Sequence, residues 1–441
     1  MAFASPTYAA SPSQPEVVRS LSDSSALRFV NFGAIYFAQG LPMGFAVLAV
    51  PAWLAEVGMS TSTIGAVSAT TMLPWAFKVV WAPLVDRLKY RAMGRFRAWI
   101  LGAQMGLITS TAALISLRSP LTHIHALAGV LFAQALFASM SDVAGDGLAI
   151  EVIPDSERGL ANAVMSGSQA AGNAIGGAGL SAVLAMAGFR VAAGLSLLLL
   201  CIACLPTVLL RERLGERLLP WMSGAPALIE ADRAWLPLAG SVRLLVRSVL
   251  ARPSVRALAV WTVAYFLSGC FGVLMTVGAV RNHGFRQAEY ASLGVLALGT
   301  HLMGAFVGGR LADRKGRAPV LAGALVLGAA TWAGFALLSP YWSDKGVWVV
   351  QALVWGAASG AMLTVLTAVF MDLADARFAA TQFAVCMALG NLGSVLGRAS
   401  AGVLEARFEL PQLVVGAAAA FAVLAVWTFR SSAISARSRT T

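Results

Sequence analysis

Charge is scarce in this 441-residue sequence: only 12% of its residues are Asp, Glu, Lys or Arg. An ordinary soluble domain carries about 25%. That shortage excludes a water-soluble globular fold. Cysteine is scarce too. Cys201, Cys204, Cys270 and Cys386 all lie in apolar runs, so no disulfide framework is implied. Cys201 and Cys204 make a C-x-x-C with no second pair and no nearby His, which reads as two small packing residues. The four histidines, His123, His125, His283 and His301, are not spaced with acidic or Cys partners, so no metal site is expected. A phosphate loop of the form G-x-x-x-x-G-K-[ST] is absent, and so is a G-x-S-x-G elbow. No catalytic residue, nucleotide hydrolysis or cofactor is therefore expected. The first 28 residues, rich in Ser, Pro and Ala, lack a basic stretch before an apolar core. They are not a cleavable signal and are expected to form a disordered cytoplasmic tail.

What is abundant is apolar surface, 58% of the chain, with a mean hydropathy of +0.76. At about 20 residues per span, the length suits roughly 12 membrane helices. Apolar runs predict spans near 29–55, 62–84, 98–117, 122–150, 159–186 and 190–210, then near 256–280, 288–312, 318–339, 346–371, 380–404 and 411–429. The one long polar linker, 211–255, divides them into a six-helix half at 29–210 and another at 256–429, with a basic tail at 430–441. The predicted fold is all-α integral membrane, with 12 transmembrane helices in two pseudo-symmetric halves. The 12 Trp and 21 Phe suit interfacial belts and helix packing.

The net charge of +12 could suggest nucleic acid, but its distribution says otherwise. Only Arg118, Arg190, Arg281, Arg286, Lys345 and Arg407 fall on one set of loops, against 24 basic residues on the set shared with both termini. The excess of positive loops on one side places both termini in the cytoplasm and the chain in the cytoplasmic membrane. The partners this implies are a lipid bilayer, a small-molecule substrate and protons, with no nucleic acid, and the chain is expected to act as a monomer.

The fourth span ends in SMSDVAGDGLAIEVIPDSERG. Asp142 and Asp146, four residues apart, share a helix face. Glu151 lies about 13 Å beyond Asp142 along the axis. A carboxylate inside a span costs about 2.5–3.5 kcal/mol on insertion scales, so these groups are expected to face water or a partner charge. Asp142 and Asp146 are the candidate proton carriers, or else part of a helix-end network with Arg158. Lys78, near the cytoplasmic end of span two, is a candidate counter-ion, unless it reaches out to the headgroups. Gln39, Gln169, Asn173, Gln351 and Asn391 sit near mid-span and could bond a substrate or bridge helices. His301 could titrate or simply pack. Arg398, deep in span eleven, could meet an anionic group, pair with Glu405 or reach the surface. Tyr36, Trp75, Trp261 and Tyr265 could stack on a flat ligand or pack. Pro42, Pro51 and Pro74 should bend their helices, and Gly172, Gly176, Gly177 and Gly179 give span five a thin face.

The halves repeat one another. After span two stands Ala-Pro-Leu-Val-Asp86-Arg87, then Gly94-Arg95-Phe96-Arg97; after span eight stands Gly309-Arg310-Leu311-Ala312-Asp313-Arg314-Lys315-Gly316-Arg317. Glu157 and Arg158 after span four match the charged turn after span ten, and Gly172-Asn173 matches Gly390-Asn391. Such duplication around a central site is a common transporter plan. The Gly309–Arg317 stretch resembles the signature of the major facilitator superfamily. The resemblance implies a latch in which Asp at a helix end pairs with Arg of the adjoining loop: Asp86 with Arg87 and Arg95, and Asp313 with Arg314 and Arg317. Glu151, Glu157 and Arg158 read as further gate or latch residues.

A narrower resemblance rests on Tyr36-Phe-Ala-Gln39-Gly-Leu-Pro42, Leu73-Pro-Trp-Ala-Phe-Lys78, Asp142, Asp146, Glu151 and Glu157-Arg158-Gly159. These are similar to the AmpG-like branch, which comprises anhydromuropeptide permeases, siderophore permeases of the rhizobactin and pyochelin type, and acetyl-CoA transporters. The match is good over 30–190 and weak beyond. Where anhydromuropeptide permeases often carry a basic residue before the third carboxylate and a Tyr-Arg pair in span five, this chain has Ala149 and Gln169-Ala170. The siderophore side of the branch is the nearer resemblance. The expected function is proton-coupled uptake of a medium-sized polar organic solute. An exporter of the same fold, and a non-transporting membrane assembly factor for pigment proteins, are the alternatives.

Overall fold

The computed structural model describes residues 20–87, 90, 92–213, 215–222, 252–373 and 379–437. Among them, twelve helical spans follow one another: α1 (Ser25–Glu56), α2 (61–87), α3 (Arg97–Ser116), α4 (Ile124–Val152), α5 (Arg158–Ala187), α6 (Phe189–Leu209), α7 (Ser254–Asn282), α8 (Gln287–Lys315), α9 (Arg317–Leu337), α10 (Lys345–Leu373), α11 (Ala379–Glu405) and α12 (Leu410–Arg437). Each lies within a few residues of the apolar run that predicted it, except that α12 runs on past 429 to Arg437, through residues expected to form the tail. The end of the bundle holding 211–222 and the turn at Gly316 is called here the linker end, and the other the far end.

Eleven of the twelve are unbroken enough and apolar enough to cross a bilayer. The exception is α2, which breaks at Phe77 into Thr61–Ala76 and Lys78–Arg87. Pro74 is the cause: it has no N–H to give the turn before it, and Phe77 closes a tight turn by donating to the Pro74 carbonyl. The break makes Lys78 the first residue of a new segment. In α1, Pro42 precedes a wide five-residue turn at Phe45–Ala49, and α5 has a matching wide turn at Ile175–Gly179. Such turns add a residue to the helix and bend it. The two bends pack together. They can do so because Gly44 and Gly176 carry no side chain: a Cβ on Gly44 would run into the Asn173 backbone, and one on Gly176 into that of Leu41.

Each half repeats one packing scheme. In the first, α1 packs on α5, α2 on α4 and α3 on α6; in the second, α7 packs on α11, α8 on α10 and α9 on α12. The halves meet where α2 packs on α11 and α5 on α8. At the far end this seam is sealed. Arg281 Nε donates to the Ala55 carbonyl (3.3 Å), Gln287 N to Glu56 Oε2 (3.0 Å) and Gln287 Nε2 to the Ser181 carbonyl (3.4 Å). Leu48 of α1 fills the gap between Gly177 of α5 and Gly294 of α8. The largest apolar cluster runs through both halves behind the seal, while a smaller one, with Phe32, Ile35, Phe96 and Leu148, holds the first half together at the linker end.

Candidate functional site

Four helices of the first half place charged and polar side chains at one point, roughly 15 Å in from the linker end. Lys78 forms an ion pair with Asp142 and lies 3.7 Å from Asp146. Tyr36 of α1 donates its hydroxyl proton to Asp146. The Gln39 carboxamide faces Asp142; turned with its nitrogen toward the carboxylate, it donates to Oδ1 at 3.1 Å. Gln169 of α5 reaches the same amide at 3.4 Å. The Lys78 ammonium also stands 5.9 Å from the centre of the Trp75 ring. One cation thus balances two carboxylates that differ in access: the Asp142 side chain is 9% exposed, that of Asp146 51%. The i, i+4 spacing and the break at Phe77 together create this arrangement. A proton added to either carboxylate would weaken its hold on Lys78 and free it for the other.

Of the charged residues expected to latch the linker end, Arg317, Glu157 and Glu151 form ion pairs, and Arg317 does so with a partner other than the expected one. Arg317 pairs with Asp372 at the end of α10 and donates to the Ala368 carbonyl, rather than joining Asp313. Asp313 and Arg314 are exposed, and no ion pair of either is found among the described residues. The reason is direction: α8 runs on to Lys315, which points the Asp313 carboxyl outward, while Arg317 opens α9 beside α10. The side chains of Asp86 and Arg87 lie outside the described residues. Glu157 is held by Arg28, whose Nε and Nη2 donate at 2.9 and 2.7 Å. These bonds keep its carboxyl below the usual range. Arg158 opens α5 at the same turn. Glu151 pairs with Arg213 of the linker at 2.7 Å.

A second tie was not visible in the sequence. Glu212 accepts from the backbone N–H groups of Arg95 (2.8 Å), Phe96 (2.9 Å) and Arg97, and so caps the start of α3. In return the Arg97 guanidinium donates to the carbonyls of Thr207 (3.0 Å), Val208 (2.9 Å) and Leu218 (2.7 Å), capping the end of α6. Gly94, with φ +99°, leaves room for the carboxylate, where a Cβ would collide with it. Burial pushes the Glu212 carboxyl up to about 7, although the three N–H donors pull it the other way.

The remaining candidates separate. Asn391 donates to the Trp75 carbonyl (3.0 Å) and thus joins α11 to α2. His301 Nδ1 lies 3.1 Å from Ser359 Oγ, between α8 and α10. Tyr265 packs on Trp261 with ring centres 4.6 Å apart. Asn173 Oδ1 is buried with no partner. Arg398 forms no pair with Glu405. It lines a cavity of about 280 Å³ in the second half, together with Gln351, Trp332, Trp348, Trp355 and Tyr290, and with Leu48 of the first half at its edge. Of these, the sequence singled out Arg398 and Gln351; the tryptophans come from α9 and α10, and nothing in their spacing shows that they converge.

The chain matches the family model described as Major Facilitator Superfamily over residues 32–398 and again over 262–439. It is 29% identical over 380 residues to the anhydromuropeptide permease of Escherichia coli (strain K12), covering 81% of this chain and 70% of that one. Among solved structures it is similar to the nucleoside transporter NupG, with a TM-score of 0.67 at 12% identity, over 91% of this chain and all of the other. A POT family transporter in complex with a thioalcohol-conjugated peptide gives a TM-score of 0.69 at 11% identity, over 92% and 95%.

Proposed function

This chain belongs to the Major Facilitator Superfamily and is similar to its AmpG-like branch, and from that premise we propose that it is a proton-coupled importer of a medium-sized polar organic solute. It is a multi-pass membrane transporter rather than an enzyme. The proposal concerns coupling, direction and cargo.

One observation carries it: Lys78 lies between Asp142 and Asp146, with Tyr36 and Gln39 completing their hydrogen bonds. A carboxylate pair held by a single ammonium can accept one proton without leaving a net buried charge. Protonation from one side then loosens Lys78, and loss of the proton on the other side tightens it again. The linker end faces the cytoplasm in this reading, as the basic loops suggest. The sealed far end then corresponds to a state closed to the outside. Rocking of the halves about α2–α11 and α5–α8 would break the far-end bonds of Glu56, Arg281 and Gln287 and open that side. The ties at Glu151–Arg213, Glu157–Arg28 and Arg317–Asp372 would hold each half rigid at the linker end while it moves.

The relative named an anhydromuropeptide permease supports a muropeptide-like cargo. The missing cations at Ala149 and Gln169-Ala170 favour a siderophore-like one. The test is uptake into proteoliposomes under an imposed pH gradient, with radiolabelled anhydromuropeptide and a ferric siderophore as cargoes. Accumulation of one of them, abolished by a protonophore and by Asp142→Asn, is expected. Accumulation that ignores the pH gradient would refute the coupling.

A further inference from the structure

The cavity in the second half contains a cation with no counter-ion. No Asp or Glu lines it. Among the described residues Arg398 has no ion pair, and its Nε is buried without an acceptor. Two other buried donors from the same lining also lack acceptors, Gln351 Nε2 and Trp332 Nε1. An unpaired buried N–H costs about 1–3 kcal/mol, and more when charged. Three around one space, all donors, would be a costly defect if the space stayed empty of acceptors.

The walls are equally one-sided. Trp332 and Trp355 meet edge to face with centres 5.3 Å apart, and Phe271 lies 4.6 Å from Trp332. Trp348 spends its own N–H on the Trp342 carbonyl (2.9 Å) and so offers only its ring. Arg398 reaches this space from the α2–α11 seam: its carbonyl lies where a Cβ on Gly65 of α2 would fall. Leu48, which helps to seal the far end, also edges the cavity.

We propose that this cavity is a binding site for an oxyanion, carboxylate or phosphate, attached to a ring. The guanidinium and the two neutral donors take the oxygens, and the indoles take the ring face. The volume is at the small end of ligand sites, so it fits one ring and its acid group rather than a whole large solute. The inference deepens the transporter reading by giving the cargo an acidic ring fragment, and by placing its seat nearer the far end of the bundle than the Lys78 cluster. Filling the cavity would bear on Leu48 and so on the far-end seal.

Scintillation-proximity binding of radiolabelled hippurate to the purified full chain tests it without any gradient. Phenyl phosphate and the uncharged hippuramide serve as competitors. Saturable hippurate binding is expected, with no competition by hippuramide; competition by phenyl phosphate tells phosphate from carboxylate preference. Arg398→Gln should weaken binding about tenfold or more, the worth of one charged hydrogen bond, and Arg398→Lys should restore part of it. If Arg398→Gln fails to fold, Gln351→Leu should weaken binding in the same assay by about threefold or more. No saturable binding, equal competition by hippuramide, or unchanged binding in the variants overturns the proposal. Should hippurate fail to bind while pH-driven uptake persists, this inference falls and the transport reading stands.

Discussion

Lys78 and Arg398 are both cations set inside the bundle, yet their surroundings are opposite. Lys78 has two carboxylates, a tyrosine-bonded neighbour and an aromatic face. Arg398 has orphaned donors beside it and no acid. One ammonium beside two carboxylates leaves a net charge of −1, which a single proton neutralises, so the cluster suits a coupling element. An unbalanced cation is poised to gain from whatever negative group arrives. In the proposed reading the two halves do different work: the first handles protons and the second holds cargo.

The largest expected effect comes from removing one carboxylate from the Lys78 cluster. Asp142→Asn should abolish pH-driven accumulation while leaving the protein foldable, measured as radiolabelled uptake alongside a size-exclusion profile. Next, Lys78→Gln should lower stability by about 2–3 kcal/mol, read from the thermal transition in detergent. This is below the usual 3–5 kcal/mol for removing one partner of a buried pair, because Lys78 is 31% open to solvent. Arg398→Met should do the opposite, raising stability by about 1–2 kcal/mol without ligand, since it removes an unpaired buried charge. A loss of stability in Arg398→Met as large as that of Lys78→Gln would erase the contrast.

The smallest effect lies in the linker. The Glu212 carboxyl titrates at about 7 in the folded chain, above its ordinary value, because burial favours the neutral acid. A raised carboxyl binds its proton more tightly when folded. Its contribution is therefore full below the ordinary carboxyl range and is lost as pH rises through about 7. The thermal midpoint should fall between pH 5.5 and 8, and Glu212→Gln should flatten that part of the profile.

Much of this was legible in the sequence, for physical reasons. Spans are set by the length of apolar runs against the bilayer, so their ends agree within a few residues everywhere but at α12, whose last two turns lie beyond the apolar run. The Asp142–Asp146 face follows from helical periodicity, and Lys78 was marked by being a cation inside a span. What could not be read were contacts that depend on how helices lean. The sequence offers Tyr36 as a stacking or packing ring, but its hydroxyl serves Asp146. The signature Asp313 suggested a pair with its own loop, whereas Arg317 turns to Asp372. The exchange of caps between Glu212 and Arg97 joins residues 115 positions apart, a distance at which no local pattern speaks. The aromatic cavity draws on six helices at once, and only Arg398 and Gln351 mark it in the sequence.

The most direct test of the central claim is to watch the protons themselves. Proteoliposomes loaded with a pH-sensitive dye, and given transported cargo outside, should acidify inside with the wild-type chain. The same liposomes carrying Asp142→Asn together with Asp146→Asn should show no acidification. Acidification that survives in the double variant would contradict the assignment of proton movement to this cluster.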